Sequence, residues 1–257
     1  LKTGKRLWEV PSEDPLEASG YRTPMESGMS RQNEMWFAVG QRIWDDAAYG
    51  TLSSDGAMVF SIENLGAIVG DEDARMFVRA GETARQTVSN VLAAHDIRTG
   101  KLKWELGGPG GKDARPLAET FFLGPPLPLR DKLYVIGEIK DEIRLMALDA
   151  ASGKLLWVQQ LTIVDHGVDQ NMMRRLAGVS PSYCDGMLIC PTGAGTAVAI
   201  DPATRTLLWG YRFKEIEDSD DPDRQLHMMQ WQYGGYSNAM PIPRWTDGTA
   251  TVVDGRV

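Results

Sequence analysis

At 257 residues, 42% of them hydrophobic, the chain has room for one large domain or two small ones and the apolar material for a substantial core. Its 27 Lys and Arg against 35 Asp and Glu leave a formal charge of −8, which argues against nucleic acid as a partner, since no Lys/Arg-rich run offsets that average. No apolar stretch approaches the roughly 20 residues of a membrane-spanning helix, so no span is expected in this segment.

The first residues, Leu1-Lys2-Thr3-Gly4-Lys5, hold neither an initiator Met nor the parts of a secretion signal, and the chain reads as cut there. Residues 1–10, with Thr3-Gly4-Lys5-Arg6-Leu7-Trp8, read as the end of a preceding structural unit, because the same pattern recurs downstream. In the long segment that follows, Met35-Trp36-Phe37 is an apolar cluster on a short helical stretch, read as core cover. Residues 47–106 form a first unit with an Asp55-Gly56 hairpin, an insertion over 64–88, and the segment Ala94-His95-Asp96-Ile97-Arg98-Thr99-Gly100-Lys101-Leu102-Lys103-Trp104. A degenerate extra unit built around Trp44 is the alternative partition of this stretch. Gly107-Gly108-Pro109-Gly110-Gly111-Lys112 lacks the Gly-Lys-Ser/Thr ending of a phosphate loop and reads as a flexible connector.

Residues 122–160 form a second unit, with a turn at Arg130-Asp131-Lys132, strand-like runs at Lys132–Ile136 and Leu145–Leu148, and a second copy of the pattern from Ala147 to Trp157. After it comes the densest mixture of polar groups, Asp165-His166-Gly167-Val168-Asp169-Gln170-Asn171-Met172-Met173-Arg174-Arg175. It reads either as a partner site, with Asp165, His166, Asn171, Arg174 and Arg175 as candidates, or as a solvated loop capped by its own side chains. Residues 179–213 form a third unit around an Asp185-Gly186 turn, with a third copy from Ala199 to Trp209 in which Arg205 and Thr206 replace Gly-Lys. That turn sets Cys184 opposite Met187 and Cys190 opposite Pro181, too far apart in register for a disulfide.

Downstream, Glu217-Asp218-Ser219-Asp220-Asp221-Pro222-Asp223 lacks the Gly and distal Glu of a calcium loop and reads as an exposed acidic turn. The run Gln225–Tyr236, with His227, Trp231 and Tyr233, suits either a ligand or partner surface or a cover for the end of the core. Residues 249–257, with Val252-Val253 and Asp254-Gly255, read as the start of a further unit. The three histidines show no metal-ligand spacing, and no Gly-x-Ser-x-Gly elbow is present, so no catalytic residue is assigned.

The repeat carries the fold. Each copy runs from an apolar strand into an Asp able to accept turn amides, then a residue suited to positive φ, then a strand reaching Trp: a hairpin. A second hairpin precedes each, so the unit is a four-stranded antiparallel sheet. Trp104, Trp157 and Trp209 recur at intervals of 53 and 52 residues, the length of a propeller blade. The expectation is an all-β chain: a β-propeller with about three full blades, partial blades at each end and an incomplete ring, belonging to a longer chain. With strands named outward from the axis, every long segment falls on the face opposite the tight hairpins, which marks that insertion-bearing face as the binding surface.

The pattern Ala-x-Asp-x-x-Thr-Gly-Lys-x-x-Trp resembles the tryptophan-docking motif of the pyrroloquinoline quinone (PQQ)-like propeller repeat family, the quinoprotein type. The resemblance implies blade-docking roles for Trp8, Asp96, Gly100, Trp104, Asp149, Gly153, Trp157, Asp201 and Trp209. It also implies a bacterial protein, periplasmic or at the cell surface. The family holds both PQQ- and calcium-dependent alcohol or sugar dehydrogenases and non-enzymatic assembly propellers. The adjacent cysteines common in the dehydrogenases are missing here, and no Glu, Asn and Asp calcium set can be matched. The expectation is therefore a scaffold without cofactor that binds a protein or glycan on its insertion face, with the dehydrogenase as the alternative.

Overall fold

The computed structural model describes residues 6–9, 52–63, 89–165, 167–168, 174, 178–212, 248 and 250. The Trp44 region, the acidic run at 217–223, and the segments 225–236 and 251–257 lie outside them. Among the described residues the strands form three antiparallel sheets. The first is β1 (Leu52–Ser54), β2 (Met58–Glu63), β3 (Val91–Asp96) and β4 (Leu102–Gly107), in that order across the sheet. The third is β10 (Ser182–Cys184), β11 (Met187–Pro191), β12 (Thr196–Asp201) and β13 (Thr206–Arg212), also in chain order.

The second sheet departs from four strands. Its central strands β7 (Lys132–Ile139) and β8 (Glu142–Asp149) are followed by β9 (Leu155–Ile163), but two short strands share the inner edge of β7. These are β5 (Phe121–Phe122), opposite Gly137 and Glu138, and β6 (Leu127–Leu129), opposite Lys132 to Tyr134. Pro125 and Pro126 lie between them, and neither has an N–H to donate to β7.

Alternation of side chains along β7 and β8 explains how the sheets stack. Leu133, Val135, Met146 and Leu148 join Phe60, Ile62, Leu92 and Ala94 of the first sheet in one apolar cluster. From the opposite face, Tyr134, Ile136, Ile143 and Leu145 join Leu188, Cys190, Val198 and Ile200 of the third sheet in another. Because successive side chains point to opposite faces, a strand apolar throughout is buried on both sides. Each fully buried side chain of this size contributes roughly 1.5–3 kcal/mol. Four-stranded antiparallel sheets stacked face to face in chain order are blades, and the fold is an all-β propeller whose described blades do not close a ring.

The eleven-residue repeat has a direct structural meaning. Its Ala and its Trp are cross-strand partners in every sheet: Ala94 with Trp104, Ala147 with Trp157, Ala199 with Trp209. A bulge beside each pair adds one residue to the outer strand just before the Trp. The connecting turn hangs on the Asp. Asp96 Oδ1 accepts the amides of Arg98 and Thr99 at 3.0 Å each, and Asp149 and Asp201 hold Ser152 and Ala203 at 2.8 Å. These bonds favour the charged form. Hydrogen bonds from Thr99 and Ser152, and from the Ala203 amide, hold the three carboxyls below the ordinary aspartate range.

Trp8 and Trp104 reach beyond their own hairpins. Trp8 Nε1 donates to the Ile97 carbonyl at 2.8 Å and Trp104 Nε1 to the Ala150 carbonyl at 3.1 Å, each in the turn of the next unit. Both indoles lie on a glycine of that turn. A Cβ at Gly100 or Gly153 would sit 2.7 Å from the ring, and both glycines have positive φ, 68° and 71°. Trp157, on β9, packs against Tyr134 with ring centroids 5.9 Å apart, and no counterpart of the indole bond joins it to the third turn among the described residues.

Candidate functional site

Antiparallel strands put alternate connections at opposite ends of the sheets. At one end all connections are tight, and the two hairpins of a unit touch: the Ile97 amide donates to the Ala57 carbonyl at 2.9 Å and the Ala150 amide to the Asp131 carbonyl at 3.0 Å. At the other end lie the long connections, residues 108–120 between β4 and β5 and residues 164–181 between β9 and β10. The polar side chains buried in the described fold cluster at this second end, namely Asn90, Thr120, Glu138, Arg174 and Thr192.

Two of them organise the surface. Asn90 precedes β3, and its side chain acts as a strand partner: Oδ1 accepts the Phe122 amide at 2.7 Å and Nδ2 donates to the Phe122 carbonyl at 3.0 Å. The Asn90 carbonyl in turn accepts the Gly108 amide at 2.8 Å. The run from Gly107, expected to be a flexible connector, is thereby a folded loop. The amide of Gly107 donates to Pro116, that of Glu119 donates to Gly108, and Arg115 pairs with Glu105 at 2.9 Å. Gly107 has φ of 87°, and a Cβ there would meet the Asn90 carbonyl oxygen at 2.6 Å and the Phe122 ring at 2.7 Å. Close backbone approach, not flexibility, is the reason for glycine at this position.

Glu138, near the end of β7, is the second organiser. Its Oε1 accepts the Val168 amide at 2.6 Å and its Oε2 accepts Arg174 Nε–H at 2.6 Å, with both side chains only 3% exposed. Burial pushes the Glu138 carboxyl above the ordinary glutamate range, and the Arg174 guanidinium opposes that push without reversing it. The adjoining β7–β8 turn places two non-glycine residues, Lys140 and Asp141, at positive φ of 51° and 64°, the geometry of a two-residue hairpin.

Of the side chains expected to meet a partner, Asp165 is exposed at the start of the 164–181 connection. Arg174 is buried against Glu138, so its guanidinium faces the interior. His166, Asn171, Arg175, His227, Trp231 and Tyr233 lie outside the described residues. Asn90 and Glu138 were not among the expected residues. The signal for Glu138 is a lone carboxylate in the apolar strand Lys132–Ile139, where an unpaired charge is not tolerated.

The quinone and calcium of the dehydrogenases would need oxygen ligands converging on one point. Among the described residues no three side chains of His, Cys, Asp or Glu do so. Cys184 and Cys190 are free thiols, and burial pushes the Cys190 thiol up to about 12, which makes it inert at neutral pH.

The chain matches the family described as "Outer membrane protein assembly factor BamB" over residues 1–162 and again over residues 116–221. None of the curated proteins matches. Among solved structures, BamB from Moraxella catarrhalis aligns at 18% identity over 48% of this chain and 34% of its own, with a TM-score of 0.33. A europium-containing methanol dehydrogenase aligns at 15% identity over 64% of this chain and 32% of its own, with a TM-score of 0.39. The quinohemoprotein alcohol dehydrogenase ADHIIG from Pseudomonas putida aligns at 14% identity over 65% of this chain and 27% of its own, with a TM-score of 0.40. The chain spans about a third of the length of these structures.

Proposed function

Since the chain belongs to the PQQ-like propeller repeat family described by the outer membrane protein assembly factor BamB, we propose that it is a non-catalytic scaffold that binds a protein partner through the face bearing its long connections. The observation that carries this reading is the asymmetry between the two ends of the sheets. One end is closed by tight hairpins. Among the described residues, the other end carries the 108–120 connection, tied to Asn90, and parts of the 164–181 connection, where Glu138 takes Val168 and Arg174. Loops set on a rigid scaffold are the usual seat of recognition. The repeated residues themselves are spent on turns and blade contacts, and Trp8 and Trp104 act by docking one unit onto the next. By the same family membership, the place of action is the periplasm or the outer-membrane surface.

A photo-crosslinking residue at Asp165 tests the reading, with Asp185, exposed on the hairpin end, as control. In producing cells Asp165 is expected to yield a defined protein adduct and Asp185 none. Adducts from Asp185 alone, or from neither site, overturn the choice of face. Titration with PQQ and calcium tests the catalytic alternative. Saturable, stoichiometric binding, read as an absorbance change or a thermal shift, would replace the scaffold with a dehydrogenase.

A further inference from the structure

Each sheet ends on an outer strand that carries the Trp of the repeat, and the three outer strands differ in how their edges are guarded. β4 holds Lys103 and Glu105, and β13 holds Gly210 and Arg212. β9 has no charge, no Gly and no Pro, and its nine residues make it the longest strand among the described residues. It stands at the end of its sheet, with no strand on its outer side among those residues. Leu155, Leu156, Val158 and Ile163 on it are 38–68% exposed. An edge strand presents backbone amides and carbonyls that a further strand can pair with, and proteins guard such edges with charges, Pro or bulges. The two bulges of β9, at Leu156 and Leu161, blunt its ends and leave Trp157–Gln160 as a regular run between them.

We infer that this edge pairs with the same edge of a second copy of the chain, antiparallel about a two-fold axis at Gln159. The flanks carry the choice of occupant. Lys154 and Asp165, both exposed, lie just outside the two ends of the strand. Antiparallel self-pairing through Gln159 sets Leu155 against Ile163 and Leu156 against Thr162 of the other copy, and it brings each Lys154 beside the other's Asp165. The edge is complementary to itself in charge as well as in apolar pairing. A single strand pair is smaller than the roughly 1,200–2,000 Å² of stable complexes, so the association is weak and reversible. This surface is the outer rim of the second sheet, and it goes beyond the binding proposed for the long connections.

Sedimentation velocity of the intact chain at about 1 to 500 μM, where small interfaces associate, tests the pairing. The wild type is expected to pass from monomer to dimer as concentration rises. Val158→Lys puts a charge in the middle of the edge and is expected to stay monomeric. Lys154→Glu and Asp165→Lys are each expected to weaken dimerisation about tenfold, and the two together to restore it, because the swap rebuilds both pairs. These end variants supply the readout should Val158→Lys not fold. A wild type monomeric throughout, a Val158→Lys dimer, or a double swap no better than either single ends the proposal. A crosslink from position 158 to a different protein, with the chain itself monomeric, would give the edge to that protein's strand and ends it as well. An adduct from Asp165 at twice the chain's mass reports on this pairing and one of any other mass on the partner, so failure of one reading is distinguishable from failure of the other.

Discussion

At the joint between the first and second sheets, Trp104 lies on Gly153 and donates to the Ala150 carbonyl. At the joint between the second and third, the turn residue corresponding to Gly153 is Arg205, itself at a positive φ of 61°, and Trp157 has no such bond among the described residues. A Cβ at the glycine position meets the indole at 2.7 Å, so Arg205 excludes the packing seen at the first joint. The second joint is fastened elsewhere. Val168 and Val179 fill its apolar cluster, and the Glu138–Arg174 pair holds the connection that carries them. One repeat thus closes its joints in two ways, by an indole set on a glycine of the next turn at the first and by valines of the β9–β10 connection in a shared apolar cluster at the second.

Truncating the tryptophans should break this comparison with the largest effect. Trp104→Ala is expected to cost about 3–5 kcal/mol, the range for removing a large aromatic from a packed site. Trp157→Ala should cost less by about 1 kcal/mol, since no indole hydrogen bond to the neighbouring turn is lost. Urea midpoints at constant slope measure the difference, and equal losses would mean that the two joints are equivalent. Gly153→Ala comes next, at about 2 kcal/mol, because an L-residue in the left-handed region costs roughly 1–2 kcal/mol before any displacement of the Trp104 ring. Arg205→Ala should fall within about 0.5 kcal/mol of the wild type, since its strain is already present and no ring lies against a glycine there.

The sheets were legible in the sequence because their signals are local. An Asp that accepts its own turn amides, a residue at positive φ and a Trp after one bulge all lie within eleven residues, and the apolar run Leu133–Ile136 reads directly as a strand. The loss of glycine at Arg205 was visible as well. What was not legible depends on partners far along the chain. Asn90 meets Phe122 across 32 residues, and Glu138 meets Val168 and Arg174 across 30 and 36. No periodicity encodes such pairs. Arg174 was expected to meet a partner from a polar loop, and only the fold brings a buried carboxylate to it. The split of the inner edge into β5 and β6 had a local cause in Pro125 and Pro126, whose missing amides interrupt the ladder opposite β7.

Arg205→Gly would make the second joint resemble the first. Relief of left-handed strain, roughly 1–2 kcal/mol, is offset by the roughly 0.5–1 kcal/mol entropic cost of glycine, so a gain of at most about 1 kcal/mol is expected. The sharper readout is coupling. If the indole then settles on the new glycine, Trp157→Phe should cost more in the Arg205→Gly background than alone. Additive losses in that double-mutant cycle would show that something other than Arg205 keeps the joint open.

The two joints also carry carboxyl groups displaced in opposite directions, which gives the smallest expected effect. Asp149 anchors the turn under Trp104, and hydrogen bonds from Ser152 hold its carboxyl below the ordinary value of 3.8. Its contribution is therefore present above 3.8 and is lost as pH falls through the lowered folded value. Glu138 serves the second joint, and burial raises its carboxyl above the ordinary 4.5, with Arg174 opposing and Asp141 adding to the rise. Its contribution is present below 4.5 and is lost as pH rises through the raised folded value. Stability curves measured from pH 3 to 7 should separate the groups. The stability of the wild type relative to Asp149→Asn should fall on the acid side of the range, and relative to Glu138→Gln it should fall as pH climbs toward neutrality. Two differences of the same sign would mean that Arg174 outweighs burial at Glu138, and that the second joint is held by attraction in the same sense as the first.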